Sequence, residues 1–154
     1  MKYILPIAIA MSICACKEKN TITQVEDPYT REDLVLMKWI EGNWVGDYHG
    51  EPFYETYKLV NDSTLSIRTY SKVGTDAPTS TEEFIFWQDD GYYMGEGLKY
   101  KVVKLDAGEI KMFPVNASNE VYWKRVDDST WAAELAGKTD TAYYILRKVS
   151  PEMD

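Results

Sequence analysis

Hydrophobic and polar positions divide the chain into four zones. Ile4 to Ile13 is an almost unbroken apolar run behind a short basic start, Met1-Lys2-Tyr3. Lys17 to Tyr29 is polar and has no hydrophobic periodicity, the pattern of a flexible tether. Leu34, Met37 and Ile40 then recur at helical spacing beside Trp39. Thr30 is placed to cap this segment, Asp33 follows at the third position, and Gly42 stops it. The spacing predicts one short helix from Thr30 to Ile40. From Trp44 onward the pattern is that of strands.

Asn61-Asp62-Ser63, Asp89-Asp90-Gly91, Asp106-Ala107-Gly108, Asp127-Asp128-Ser129 and Gly137-Lys138 punctuate this last zone with turn chemistry. Between them lie β-branched and aromatic segments. They predict strands near Trp44–Tyr48, Phe53–Val60, Thr64–Ser71, Thr81–Gln88, Tyr92–Gly95, Lys99–Leu105, Glu109–Val115, Glu120–Val126, Thr130–Ala136 and Ala142–Val149. Two turns echo each other, Val60-Asn61-Asp62-Ser63-Thr64 and Val126-Asp127-Asp128-Ser129-Thr130. Shared Asx and Ser turn preference explains the echo without an internal repeat. The longest expected loop runs from Val73 to Ser80, a candidate lip over an opening.

Short hairpins in succession pair each strand with its sequence neighbours. An open sheet of so many strands would expose its edges, and closure removes them. The expected fold is therefore all-β: a closed or nearly closed antiparallel up-and-down barrel of about eight to ten strands behind one short α-helix. A two-sheet sandwich is the alternative, though it needs longer crossovers than this sequence offers.

The N-terminal zone reads as a signal peptide. Its apolar run is about ten residues, where a bilayer span needs roughly twenty. Ile13-Cys14-Ala15-Cys16 resembles a bacterial lipobox, which implies acylation of Cys16 and its exposure as the first mature residue. Cys14 is the poorer acceptor because the bulky Ile13 precedes it. The expected domains are thus the signal to Cys16, a tether over residues 17–29 and a barrel over residues 30–150. Export to the cell envelope follows, with Cys16 anchoring the protein in a membrane. Lys17 after the Cys favours the outer membrane over inner-membrane retention, on either its periplasmic or its surface face.

No Cys follows Cys16, so the folded domain has no disulfide framework to lean on. The net charge is −8 and the basic residues are scattered, which argues against nucleic acid as a partner. The 5 Trp and 12 Tyr residues suit both a β core and a stacking surface.

Trp39-Ile40-Glu41-Gly42-Asn43-Trp44 resembles the entry to a lipocalin-like (calycin) barrel, where Gly-x-Trp follows a short helix. The resemblance implies that Trp44 closes the barrel floor and that Arg147, from Tyr143-Tyr144-Ile145-Leu146-Arg147, packs on its indole. Phe53-Tyr54-Glu55-Thr56-Tyr57, Glu83-Phe84-Ile85-Phe86-Trp87, Val121-Tyr122-Trp123 and Asp128-Ser129-Thr130-Trp131 resemble a group of bacterial lipocalin-like domains, the DUF6265 type. That group commonly carries Asn-Pro…His-Asp-Phe-Pro before the late hairpin. This chain has Met112-Phe113-Pro114-Val115-Asn116-Ala117-Ser118-Asn119 there, so a site on that His-Asp pair is not carried over.

Alternation places Phe53, Glu55, Tyr57 and Leu59 on one face and Glu83, Ile85 and Trp87 on another, both expected to point inward. A buried carboxylate must be paired, hydrogen-bonded or neutral. Glu55 and Glu83 are therefore candidate polar anchors in an apolar cavity, with Arg68 as their counter-ion and Tyr57 and Trp87 beside them. Tyr93, with Tyr92, Met94 and Tyr100, is a candidate for the cavity wall. The single His49 lies in a turn and falls short of the three or four converging ligands a metal needs, so no metal site and no cofactor are expected. No Ser-His-Asp or Cys-His set can be assembled without that single His. No Gly-rich phosphate loop appears.

The expected function is binding of a small apolar or amphipathic ligand in the barrel. A structural or interaction module with a side-chain-filled barrel is the alternative, its protein partner unknown. An enzyme using the inward carboxylates is the lesser alternative.

Overall fold

The computed structural model describes residues 29–150. The expected signal, the Cys16 acceptor and residues 17–28 of the tether lie outside the described residues. The helix comes first, Asp33–Ile40, and it is a 3₁₀ helix. Ten strands follow: β1 Gly42–Tyr48, β2 Glu51–Asn61, β3 Thr64–Ser71, β4 Thr79–Gln88, β5 Gly91–Met94, β6 Tyr100–Leu105, β7 Glu109–Pro114, β8 Glu120–Arg125, β9 Thr130–Ala136 and β10 Thr141–Val149. Each pairs antiparallel with its sequence neighbours, and β1 pairs with β10 through Trp44↔Lys148 and Val45↔Arg147. The sheet is a closed barrel, which excludes the sandwich.

The helix cap differs from the sequence expectation. Thr30 does not cap the helix; instead Asp33 reaches back, its Oδ2 accepting from the Thr30 backbone N–H (2.6 Å) and hydroxyl (3.1 Å). Tyr29, expected in the tether, belongs to the domain. It packs on the core, and its hydroxyl accepts from the Leu105 N–H (2.7 Å).

One end of the barrel is a floor and the other a mouth. The floor carries the tight turns. Asn61 Oδ1 accepts from Ser63 N–H and Oγ (2.9 and 3.0 Å), and Asp127 Oδ1 accepts from Ser129 in the same way (2.7 and 2.9 Å). Their shared geometry accounts for the sequence echo as turn chemistry. The 3₁₀ helix plugs this end with Leu34, Met37 and Ile40, all fully buried. Trp44 sits above it and donates its indole N–H to the Ile40 carbonyl (2.7 Å). Tyr92 stitches plug to wall: its hydroxyl accepts from Leu34 N–H (3.1 Å) and donates to the Arg31 carbonyl (2.5 Å). Burial pushes that phenol up to about 12, which keeps the proton it donates.

A cation does cover Trp44, but it is Lys148. Its Nζ lies 5.3 Å from the ring centroid. Trp44 pairs with Lys148, so the two share the inner face, whereas Arg147 is opposite Val45 and points out. The one-residue difference in phase replaces the expected arginine with a lysine.

The mouth end carries longer connections, of which residues 72–78 are the longest. β5 is only four residues long and pairs with β4 over Ile85–Gln88, with Gly95 N–H donating to the Phe84 carbonyl just beyond it (3.1 Å), so that Thr79–Glu83 of β4 pair with β3 only. None of the described helices is long and apolar enough to cross a membrane.

Candidate functional site

The barrel is solid at its floor and hollow above it. A chamber of ≈ 950 Å³ opens through the mouth. Its deep wall is aromatic. Tyr57 meets Trp123 and Trp131 edge to face, with ring centroids 5.7 Å apart in each case, and the two indoles are tilted against each other at 5.4 Å. Val121, Met94 and Leu146 complete the apolar surface. A second aromatic layer lies at the rim, where Tyr144 stacks on Tyr48 (6.1 Å) and meets Phe53 edge-on (5.9 Å).

Strand alternation builds these layers. Along β2 the inner face reads Phe53, Glu55, Tyr57, so Glu55 falls between rim and deep wall. Opposite Phe53 on β1 stands Gly46, and a Cβ there would come within 2.3 Å of the Phe53 ring. The ring therefore lies over the glycine, and Gly46 is needed for close approach rather than for backbone conformation.

Glu55 is held by two hydroxyls. Tyr57 donates to Oε2 at 2.5 Å and Thr69 to Oε1 at 3.4 Å. Burial raises its carboxyl above the ordinary carboxylate range; the two donors pull it back and the charge of Glu83 adds to the rise. The Tyr57 phenol is pushed well above its usual value by burial and by the two carboxylates, so it stays a donor. Glu83 also lines the chamber, from β4, where the short β5 leaves it exposed. Neither carboxylate forms an ion pair with a described residue.

The other candidates from the sequence lie elsewhere. Arg68 follows Ile67 on β3, and Ile67 takes the inner face. Arg68 therefore points out, where it bridges to Glu82 at 3.2 Å, and it is no counter-ion to Glu55 or Glu83. Tyr93 also faces out, its ring under Lys99 Nζ at 4.4 Å, while Met94 and Tyr100 reach the chamber. Trp87 is inward but belongs to the floor, edge-on to Tyr92 at 5.0 Å. His49 stands in the β1–β2 turn against Tyr48, with φ 55°.

Sequence reasoning gave no site role to Trp123, Trp131, Tyr144 or Lys72. The alternations Val121/Trp123 and Trp131/Ala133/Leu135 carry the signal for the two indoles. Lys72 gives none, because it lies in a loop. Trp131 is fully buried, and its indole N–H has no acceptor among the described residues; the indole N–H of the partly buried Trp39 has none either.

Comparison with solved structures finds similarity to a redesigned β barrel, with a TM-score of 0.43 at 9% identity, over 78% of this chain and 96% of that one. No family model matches the chain, and no curated protein matches it. The closed barrel is read from its own strand pairing.

Proposed function

We propose that this protein binds one small apolar or amphipathic molecule in its barrel, held at an envelope membrane by acylated Cys16 through the tether. The chamber carries this reading. Its ≈ 950 Å³ is at the upper end of what small-molecule sites enclose, about 300–1,000 Å³. Its lining is mostly aromatic and aliphatic with a few convergent polar groups, the composition such sites use. A barrel filled by its own side chains describes only the floor. Membrane anchoring rests on the Ile13-Cys14-Ala15-Cys16 motif, and Lys17 after the Cys supports the outer membrane.

Native mass spectrometry of the full chain carrying Cys16→Ser, recovered from the periplasm, tests the binding role. A reproducible mass excess that vanishes on denaturation is expected. A bare chain that also takes up no apolar fluorescent probe would overturn the reading. Radiolabelled palmitate incorporation into the unaltered chain, lost in Cys16→Ser, is the expected sign of the anchor.

A further inference from the structure

Glu55 and Glu83 lie within an apolar chamber with no cation assigned to them. The base that the sequence offered, Arg68, is outside and committed to Glu82. Lys72 lines the mouth, but it forms no ion pair with any described residue. Glu51 adds a third carboxylate to the same lining. The two hydroxyls on Glu55 do not offset its burial, since the carboxyl stays raised. A carboxylate withdrawn from water without a positive partner is costly, and removing that cost is open to any ligand that brings the charge.

The aromatic layers supply the rest of the recognition. Glu55 is flanked along β2 by Phe53 toward the rim and Tyr57 toward the deep wall. A cation beside Glu55 would therefore lie between two aromatic side chains, the kind of surroundings that hold organic ammonium groups. Below this level the chamber is apolar, lined by Trp123, Trp131, Val121 and Leu146. The polarity is ordered along the axis, with negative charge midway and toward the mouth and hydrocarbon surface beneath.

We infer that the ligand is a cationic amphiphile, an alkyl or aryl ammonium whose head sits between Glu55 and Glu83 and whose apolar body fills the deep chamber. This rests on the binding role proposed above and narrows it to one charge class. A fatty-acid carboxylate of the same length would place like charge against Glu55 and Glu83. A neutral alcohol would fill the chamber but leave both carboxylates without a counter-charge.

Three probes with the same tail separate these cases: decyltrimethylammonium, decanol and decanoate. Each is titrated below its micelle concentration into the full chain carrying Cys16→Ser, with heat as the readout. Decyltrimethylammonium is expected to bind about tenfold tighter than decanol, with decanoate the weakest. Equal or tighter binding of decanoate would overturn the cationic assignment while leaving the apolar chamber intact. Binding of none of the three would overturn the binding role itself, and the assignment with it. Glu55→Gln and Glu83→Gln are each expected to bring the ratio of ammonium to alcohol affinity toward one. A ratio unchanged in both folded variants would also overturn the assignment. Glu83→Gln replaces an exposed side chain and serves if the variant at Glu55 fails to fold.

Discussion

The floor and the mouth are built from the same strands, yet they solve opposite problems. At the floor the Tyr92 hydroxyl and the Trp44 indole N–H have partners, and the side chains of Leu34, Met37, Ile40 and Trp44 exclude solvent. At the mouth, Phe53, Glu55 and Tyr144 are only partly covered, and no side chain fills the space between them. β2 shows the change within one strand. Tyr57 is buried in the aromatic core, while Glu55, one inner-face position nearer the mouth, is a carboxylate with hydroxyl donors and no base. The difference teaches where stability and recognition reside: packing is completed at the end the 3₁₀ helix covers, and left unfinished where a ligand can complete it.

Breaking the floor gives the largest expected effect. Trp44→Ala should cost about 3–5 kcal/mol in denaturant unfolding, because it empties a fully buried site and orphans the Ile40 carbonyl. A loss below about 1 kcal/mol would mean that the floor is not the stabilising half. Tyr92→Phe keeps the ring and removes only the hydroxyl that joins plug to wall. About 1–3 kcal/mol should be lost, since the Leu34 N–H and Arg31 carbonyl lose their partner.

At the mouth, Gly46→Ala sharpens the contrast. Its Cβ would meet the Phe53 ring at 2.3 Å, so the ring must swing toward the chamber. Overpacking of this kind costs about 1–3 kcal/mol. Probe uptake should fall along with stability, whereas Tyr92→Phe should leave uptake unchanged. Lys148→Ala against Arg147→Ala is a finer comparison within the floor. The first should cost about 0.5–1 kcal/mol through the lost contact with Trp44. The second should stay within about 0.5 kcal/mol, being an outward surface change.

The smallest effect has the opposite sign. Glu55's carboxyl is raised on folding, so its contribution to stability is fully present below the ordinary carboxylate range. That contribution is lost as pH rises through the raised folded value. Glu55→Gln cannot ionise. Its denaturation midpoint, relative to the unaltered chain, should therefore climb with pH through that window and be flat beneath it. The ionisable neighbours acting on Glu55 are Tyr57 on its own strand and Glu83 on β4, with Glu51 and Lys72 lining the mouth. Repeating the series in Glu83→Gln should shift the window downward, because one source of the rise is removed. A flat difference across pH would show that Glu55 is solvated as freely as a surface carboxylate.

Much of the fold was readable from single residues. Asn61, Asp106 and Asp127 marked floor turns because their side chains cap the backbone locally, and they do so here. Thr64–Ser71 and Thr130–Ala136 were bounded correctly because turn signals flank both strands. The inward phase of Phe53, Glu55 and Tyr57 followed from alternation. Arg68 was misplaced because it was chosen for its charge, although Ile67 beside it already claimed the inner face. Tyr93 failed for a related reason. In a strand as short as β5, Tyr92 and Tyr93 are equally good inward candidates, and only pairing with β4 and β6 decides between them. On β6 a bulge between Val102 and Lys104 resets the alternation, leaving Val103 outside and returning Leu105 to the core.

The sequence by itself determined the class of fold, the order and approximate number of strands, the turns and the apolar stripe of the short helix. All of these follow from local periodicity and turn chemistry, which act over a few residues. Tertiary structure alone decided that the barrel is hollow at one end, that Lys148 rather than Arg147 covers Trp44, and that Glu55 and Glu83 face the chamber without an ion-pair partner among the described residues. Those outcomes depend on closing β1 against β10 and on the register across several strands. A shift of one residue there exchanges inside for outside.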